Sequence, residues 1–163
     1  MSKDPERQAG ADLDPTGERL VRYIVERGVI TRRGPETGAL RVIAAVPPQC
    51  LRVPVVAAVL SMSRRTLYRL FRDAGLPSTR DWIALVRAFH THAAILKGRP
   101  LKDAAAAGGY PDPFTMSNAI HRATGFRPSA LQGIAWTQLV DAWIARQQRR
   151  GVLMERWADR SSE

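Results

Sequence analysis

Residues 63 to 72 read SRRTLYRLFR. Arg64, Arg65, Arg69 and Arg72 stand there at helical intervals with Tyr68 among them, while Leu67 and Phe71 fall on the opposite side of the same helix. A guanidinium is a fixed fork of donors that fits both a guanine edge and a phosphate. A helix carrying such a row outward suits a major groove of DNA. The competing reading is a solvated surface helix, because charged residues usually lie outside. Either way the chemistry offered is recognition of an anion, with no bond made or broken.

A second row lies further along, in PFTMSNAIHRATG. With Met116 and Ile120 inward, the outward face carries Phe114, Ser117, Asn118, His121 and Arg122. Asn118 matches an adenine edge and Arg122 a phosphate or a base. This face is less basic than the first, and ordinary surface polarity competes for Asn118 and His121.

The elements around both rows explain how they would be held. Pro54 to Leu60 reads as a short apolar helix, Ser61-Met62-Ser63 as a tight turn, and Ser63 as the N-cap of the next helix. Ala57 is small enough for two helix backbones to cross there. Val56, Leu60, Met62, Leu67 and Leu70 fill the wedge, and Gly75 closes the unit. The pattern then repeats: a short alanine-rich helix over 100–107, a turn over 108–112, a helix over 113–124, and Gly125. Each copy is a helix-turn-helix, whose second helix can enter a major groove.

Between the copies, Ser78 and Asp81 have the spacing of a capping box. The helix they start spans 79–96, with Trp82, Val86, Phe89, Ala93 and Leu96 on one side. At 1.5 Å per residue it is about 27 Å long. Successive major-groove faces lie about 34 Å apart. With its flanking turns this strut is long enough to hold two reading helices on one side of a duplex.

The flanks are helical as well. Residues 1–13 are polar and read as disordered, and Asp14-Pro15 starts a helix carrying Leu20, Tyr23, Ile24 and Arg27. Leu40, Ile43 and Ala44 make another, stopped by Pro47-Pro48. A single C-terminal helix is expected to carry Leu131, Ala135, Leu139, Ala142 and Trp143, with a last short helix in VLMERWADR. Trp136, Trp143 and Trp157 suit a core or a dimer face, and ARQQRRG suits either phosphates or a solvated helix end. The expected class is all-α: two helix-turn-helix units joined by a long linker helix, with extra N- and C-terminal helices.

Composition narrows the partners. The chain has 163 residues, enough for one domain or two small ones, a net charge of +10, and 45% hydrophobic residues. Such charge favours nucleic acid or an anionic membrane. No apolar run approaches the roughly 18 residues that span a bilayer, and the N-terminus has no signal-peptide pattern. Cys50 is the one cysteine, which excludes an intrachain disulfide or zinc-thiolate cluster and suits a reducing cytoplasm. His90 and His92, two apart on a helix, point to different faces and cannot share a metal as an i, i+4 pair would. No phosphate loop or nucleophile elbow occurs, so neither an enzyme nor a cofactor is expected.

The two motifs together resemble the DNA-binding domain of AraC/XylS-type transcription regulators. In VAAVLSMSRRTLYRLFRDAGL, Ala57, Ser63, Leu67, Arg69 and Phe71 fall on the family pattern. In GGYPDPFTMSNAIHRATGFRPSAL, Gly109, Tyr110, Asp112, Gly125, Pro128 and Ser129 do so without a gap. Departures are Ser61, where the family often has glycine; Met116 and Ile120, where it usually has phenylalanines; and Gly108, where a hydrophobic residue is usual. DNA-repair members of this fold group that accept methyl groups on cysteine carry a metal-bound cysteine cluster, which one cysteine cannot supply. The resemblance covers 53–131, leaving N-terminal helices over 14–52 and a C-terminal extension over 132–160. The 52 residues before the resemblance are too few for the sensing barrel usual in the family.

The resemblance implies a sequence-specific regulator of double-stranded DNA. Its contacts would be Ser63, Arg64, Arg65, Thr66, Tyr68, Arg69 and Arg72 from the first unit, and Phe114, Ser117, Asn118, His121 and Arg122 from the second. RNA polymerase, another regulator, or a second copy through the terminal helices are further expected partners; a membrane is not. The alternatives are a helix-turn-helix scaffold that binds a protein, and a non-specific DNA-binding protein.

Overall fold

The computed structural model describes residues 15–151. The expected disordered start, the Asp14 cap, and the last short helix with Trp157 lie outside them. Among the described residues there is no strand, so the all-α class expected from the 3.6-residue periodicity holds.

Helices α1 (Pro15–Glu26) and α2 (Pro35–Ala45) lie against each other ahead of the repeat. A 3₁₀ turn, Pro48–Cys50, follows the Pro47-Pro48 stop. Helices α3 (Val53–Val59) and α4 (Arg64–Asp73) form the first unit. Helix α5 (Thr79–Leu96) is the strut. Helices α6 (Leu101–Ala107) and α7 (Pro113–Thr124) form the second unit, and α8 (Pro128–Leu131) and α9 (Trp136–Arg149) close the chain.

The strut is buried on more sides than one apolar stripe predicts. Besides Trp82, Val86 and Phe89, the structure buries Ile83, Leu85, Ala88, Thr91, His92 and Ile95. A helix that is apolar nearly all round belongs in a core. Its first half packs with Phe71 of α4 and with Trp143 and Ile144 of α9; its second half packs with Ala104, Ala105, Met116, Ile120 and Leu139. Leu96, expected on the apolar side, is 51% exposed, while Ala94 and Ile95 beside it are buried in the second core cluster. His92 is buried, with its Nε2 2.9 Å from the Ile134 carbonyl oxygen.

The wedge of the first unit is graded: Val56, Ala57 and Leu67 are buried, while Leu60, Met62 and Leu70 are half-buried against the same core.

The expected single C-terminal helix is two. Helix α8 ends at Leu131, and the chain restarts at Ala135, an exposed N-cap rather than a packed position. The Gln138 Oε1 accepts the Ala135 N–H at 2.8 Å, which satisfies one free donor at the new start. The break turns α9 back across the strut, where Leu139 and Trp143 are buried and Ala142 half-buried.

The two units share one turn geometry. Ser61 N–H donates to the Ala58 oxygen and Met62 N–H to that of Ala57; Gly109 and Tyr110 repeat this on Ala106 and Ala105. The residue at the hinge of this pattern is left-handed in both, at φ +53° in Ser61 and +79° in Gly109. Ser61 is the one non-glycine with positive φ among the described residues, so it holds strain that Gly109 avoids. The second turn has a further demand. A Cβ on Gly109 would collide with the Pro48 carbonyl, and one on Gly108 with the Thr91 hydroxyl and the Tyr110 ring. Gly108 departs from the family pattern because its neighbours fill the space a side chain would take.

Ser61→Gly is expected to raise stability by about 1 kcal/mol and the melting temperature by about 3 °C. Gly109→Ala is expected to lower both, through strain and collision together. Urea and thermal unfolding of the two variants check this; a stabilised Gly109→Ala would refute the close packing of the second turn.

Candidate nucleic-acid interface

Ser63 sets the start of α4. Its backbone is extended (φ −71°, ψ 156°), and its Oγ accepts the Thr66 N–H at 3.0 Å. The Ser63 and Thr66 hydroxyls are 2.8 Å apart, so these two side chains serve the cap first. Leu67 and Phe71 are fully buried, which fixes the rotation of the helix. Arg64, Arg65, Arg69 and Arg72 are consequently exposed, and Tyr68 is 54% exposed.

These arginines are not equivalent. Among the described residues, Arg64, Arg65 and Arg69 have no carboxylate within ion-pair distance. Arg72 pairs with Asp73 Oδ1 at 2.8 Å, and its guanidinium lies 5.6 Å from the Tyr68 ring centroid. Its charge is partly offset and its head is held along the tyrosine.

Asp112 does for α7 what Ser63 does for α4. Its Oδ1 accepts the Thr115 N–H at 2.7 Å and its Oδ2 accepts the Thr115 hydroxyl at 3.0 Å. These bonds, the backbone one foremost, hold the carboxyl below the usual carboxylate range. Met116 and Ile120 are buried where α4 has Leu67 and Phe71. Phe114 is then 77% exposed, Asn118 and Arg122 are exposed, and Ser117 and His121 half-buried. The charge difference between the starts matters: an exposed carboxylate already occupies the amino end of α7 and repels a second anion there.

The run ARQQRRG is used largely within the chain. Arg146 Nη2 donates to the His121 carbonyl at 3.1 Å near the end of α7, Gln147 is buried, and Arg150 pairs with Asp81 at 3.2 Å. Trp143 is fully buried 4.8 Å from Trp82, and Trp136 packs edge-on to Tyr23 and Phe89.

The structure also gathers residues that the sequence did not single out. A concavity of about 520 Å³ lies between the start of α5 and the exposed side of α4, lined by Val53, Arg64, Arg65, Tyr68 and Arg80. A smaller cleft of about 270 Å³ shares Val53 and Arg80 with it and runs past Arg52 and Arg87 to Ala119 on α7. No periodic signal marks Arg52, which sits in a loop, or Arg80, which sits within a capping box.

Two helix-turn-helix units on a common strut, each with a capped and outward-facing second helix, define the architecture of a DNA-binding regulator. A family model described as a helix-turn-helix domain matches residues 56–133, spanning both units. That stretch is an AraC-type helix-turn-helix domain, a DNA-binding module of transcription regulation. No curated protein and no solved structure is matched. Among the described residues no helix is long and apolar enough to cross a membrane, and no three metal-ligating side chains converge.

Ser63→Ala is expected to cost about 1 kcal/mol through loss of the α4 cap. Asp112 has a folded pKa below its unfolded value, so its contribution is present above about pH 4 and is lost as pH falls through the folded pKa. Unfolding free energies of the native protein and Asp112→Asn, compared across pH 2 to 6, should converge at the acid end. A constant gap would show that the carboxylate's charge is not what holds the cap.

Proposed function

We propose that the chain is a sequence-specific DNA-binding transcription regulator that reads two successive major-groove segments with α4 and α7. The supporting observation is the equivalence of these helices. Each starts at a side-chain cap, each is anchored by two fully buried residues, and each packs against the same strut.

In this reading Arg64, Arg65, Tyr68 and Arg69 enter the first groove, with Arg65 the foremost reader of base edges. Arg72, offset by Asp73, contacts phosphate, and Ser63 and Thr66 orient the helix start beside the backbone. Phe114, Ser117, Asn118, His121 and Arg122 face the second groove. The carboxylate of Asp112 argues against a phosphate at the start of α7, so the second unit contributes discrimination more than affinity. One chain carries both readers, so a monomer suffices. The apolar faces of α1, α2 and α9 are already engaged in the chain's own core. Such a protein works in the cytoplasm, on duplex DNA.

A selection from random duplex DNA is expected to enrich one site. Arg65→Ala should lose discrimination between that site and random sequence, while Arg72→Ala should weaken both severalfold in parallel. Absence of any enriched sequence would sink the specific-regulator reading. A complex with protein that tolerates salt, with no DNA shift, would favour the protein-interaction scaffold instead.

A further inference from the structure

Arg52 and Arg80 stand apart from both reading helices, yet both lie on the ground between them. Arg80 lines the concavity beside Arg64, Arg65 and Tyr68; Arg52 and Arg80 line the cleft that leads on to Ala119 of α7. Both side chains are exposed. Neither has a carboxylate within ion-pair distance among the described residues. The acid next to Arg80 in sequence, Asp81, is taken by Ser78 and Arg150.

The backbone under them is held firmly. Leu51 is fully buried, and its carbonyl accepts from Arg87 Nη2 at 2.6 Å. The Arg87 guanidinium lies 5.9 Å from the centre of the buried Tyr110 ring, which ties this corner to the second turn. Gln49 Nε2 adds a bond to the Ala106 carbonyl at 2.9 Å. Arg52 therefore projects from a loop clamped to both α5 and the second unit. Arg80 projects from the first turn of α5, fixed by the Ser78–Asp81 box. Two unpaired cations on clamped backbone, set between two groove-reading helices, are matched by one stretch of the expected ligand: the sugar-phosphate backbone between the two major-groove segments.

We propose that Arg52 and Arg80 form a phosphate clamp for that intervening DNA backbone, holding the duplex against the strut. This rests on the two-groove reading above. Arg87 acts as a positioning residue, through Leu51 and Tyr110. The clamp carries no base information, so it sets affinity and the bend of the duplex while α4 and α7 set sequence.

The test uses the full chain, the selected duplex and a random duplex of equal length. The double variant Arg52→Gln/Arg80→Gln keeps the stems and removes the charges. Affinity for both duplexes should fall roughly tenfold or more, and the slope of log affinity against log salt should shrink by about 2. Hydroxyl-radical protection between the two groove contacts should disappear while protection at the contacts persists. Arg52→Lys/Arg80→Lys should restore the salt slope, and thermal unfolding of both variants should match the native protein. Unchanged affinity, slope and protection in the glutamine variant would overturn the clamp while leaving two-groove reading intact. Absence of salt-dependent DNA binding by the native protein would overturn both. If the glutamine variant unfolds, the lysine variant against single Arg80→Gln decides, with the slope expected to differ by about 1.

Discussion

The tilted contact of Trp82 on Trp143, 4.8 Å between ring centroids, is the joint on which the molecule depends. Phe71 lies 6.1 Å from Trp82. Three helices meet there: α4 through Phe71, the strut through Trp82, and the returning α9 through Trp143. All three side chains are fully buried. Truncating one such aromatic typically costs about 3–5 kcal/mol, a large part of the stability of a small domain. The joint has its own cost, because the indole N–H groups of Trp82 and Trp143 are buried with no acceptor among the described residues. Packing of the three rings offsets that cost and ties α4 and α9 to α5.

From this joint the asymmetry of the two units follows. The first unit is braced by large aromatics and carries neutral capping chemistry, so its arginines face outward with little nearby negative charge. The second rests on alanines 104 and 105, on Met116 and on Ile120, and its helix starts under a carboxylate. Small side chains let α6 lie close to the strut, and Gly108 has no room for a Cβ beside Thr91, while Gly109 has none beside the Pro48 carbonyl. The 3₁₀ turn at Pro48 sits in the same contact. That turn is therefore a structural part of the second unit, while α1 and α2 pack into the core of the first.

Much of the fold was legible. Proline and glycine mark the helix limits, the Ser78–Asp81 spacing announces the strut, and a repeat of short helix, turn and helix announces two like units. The C-terminal break was not legible: Gln132 to Ala135 carries a single glycine, and the apolar spacing continues across it. The outward row of α4 could be read because Leu67 and Phe71 fix the helix rotation at spacing 4. Arg52 and Arg80 could not be read, since their neighbourhood consists of residues distant in sequence.

Local chemistry is what the sequence determined by itself. Helical periodicity, caps, turn residues and the arginine row depend on neighbours within a few positions, and those interactions are present in the chain wherever it folds. Only the tertiary structure decided which charges remain free. Arg146 and Arg150 look as available in sequence as Arg64 and Arg80, yet the first pair is held by the His121 carbonyl and by Asp81. Whether a cation is free depends on which groups lie within a few ångströms of it, and that is settled only when distant segments pack together.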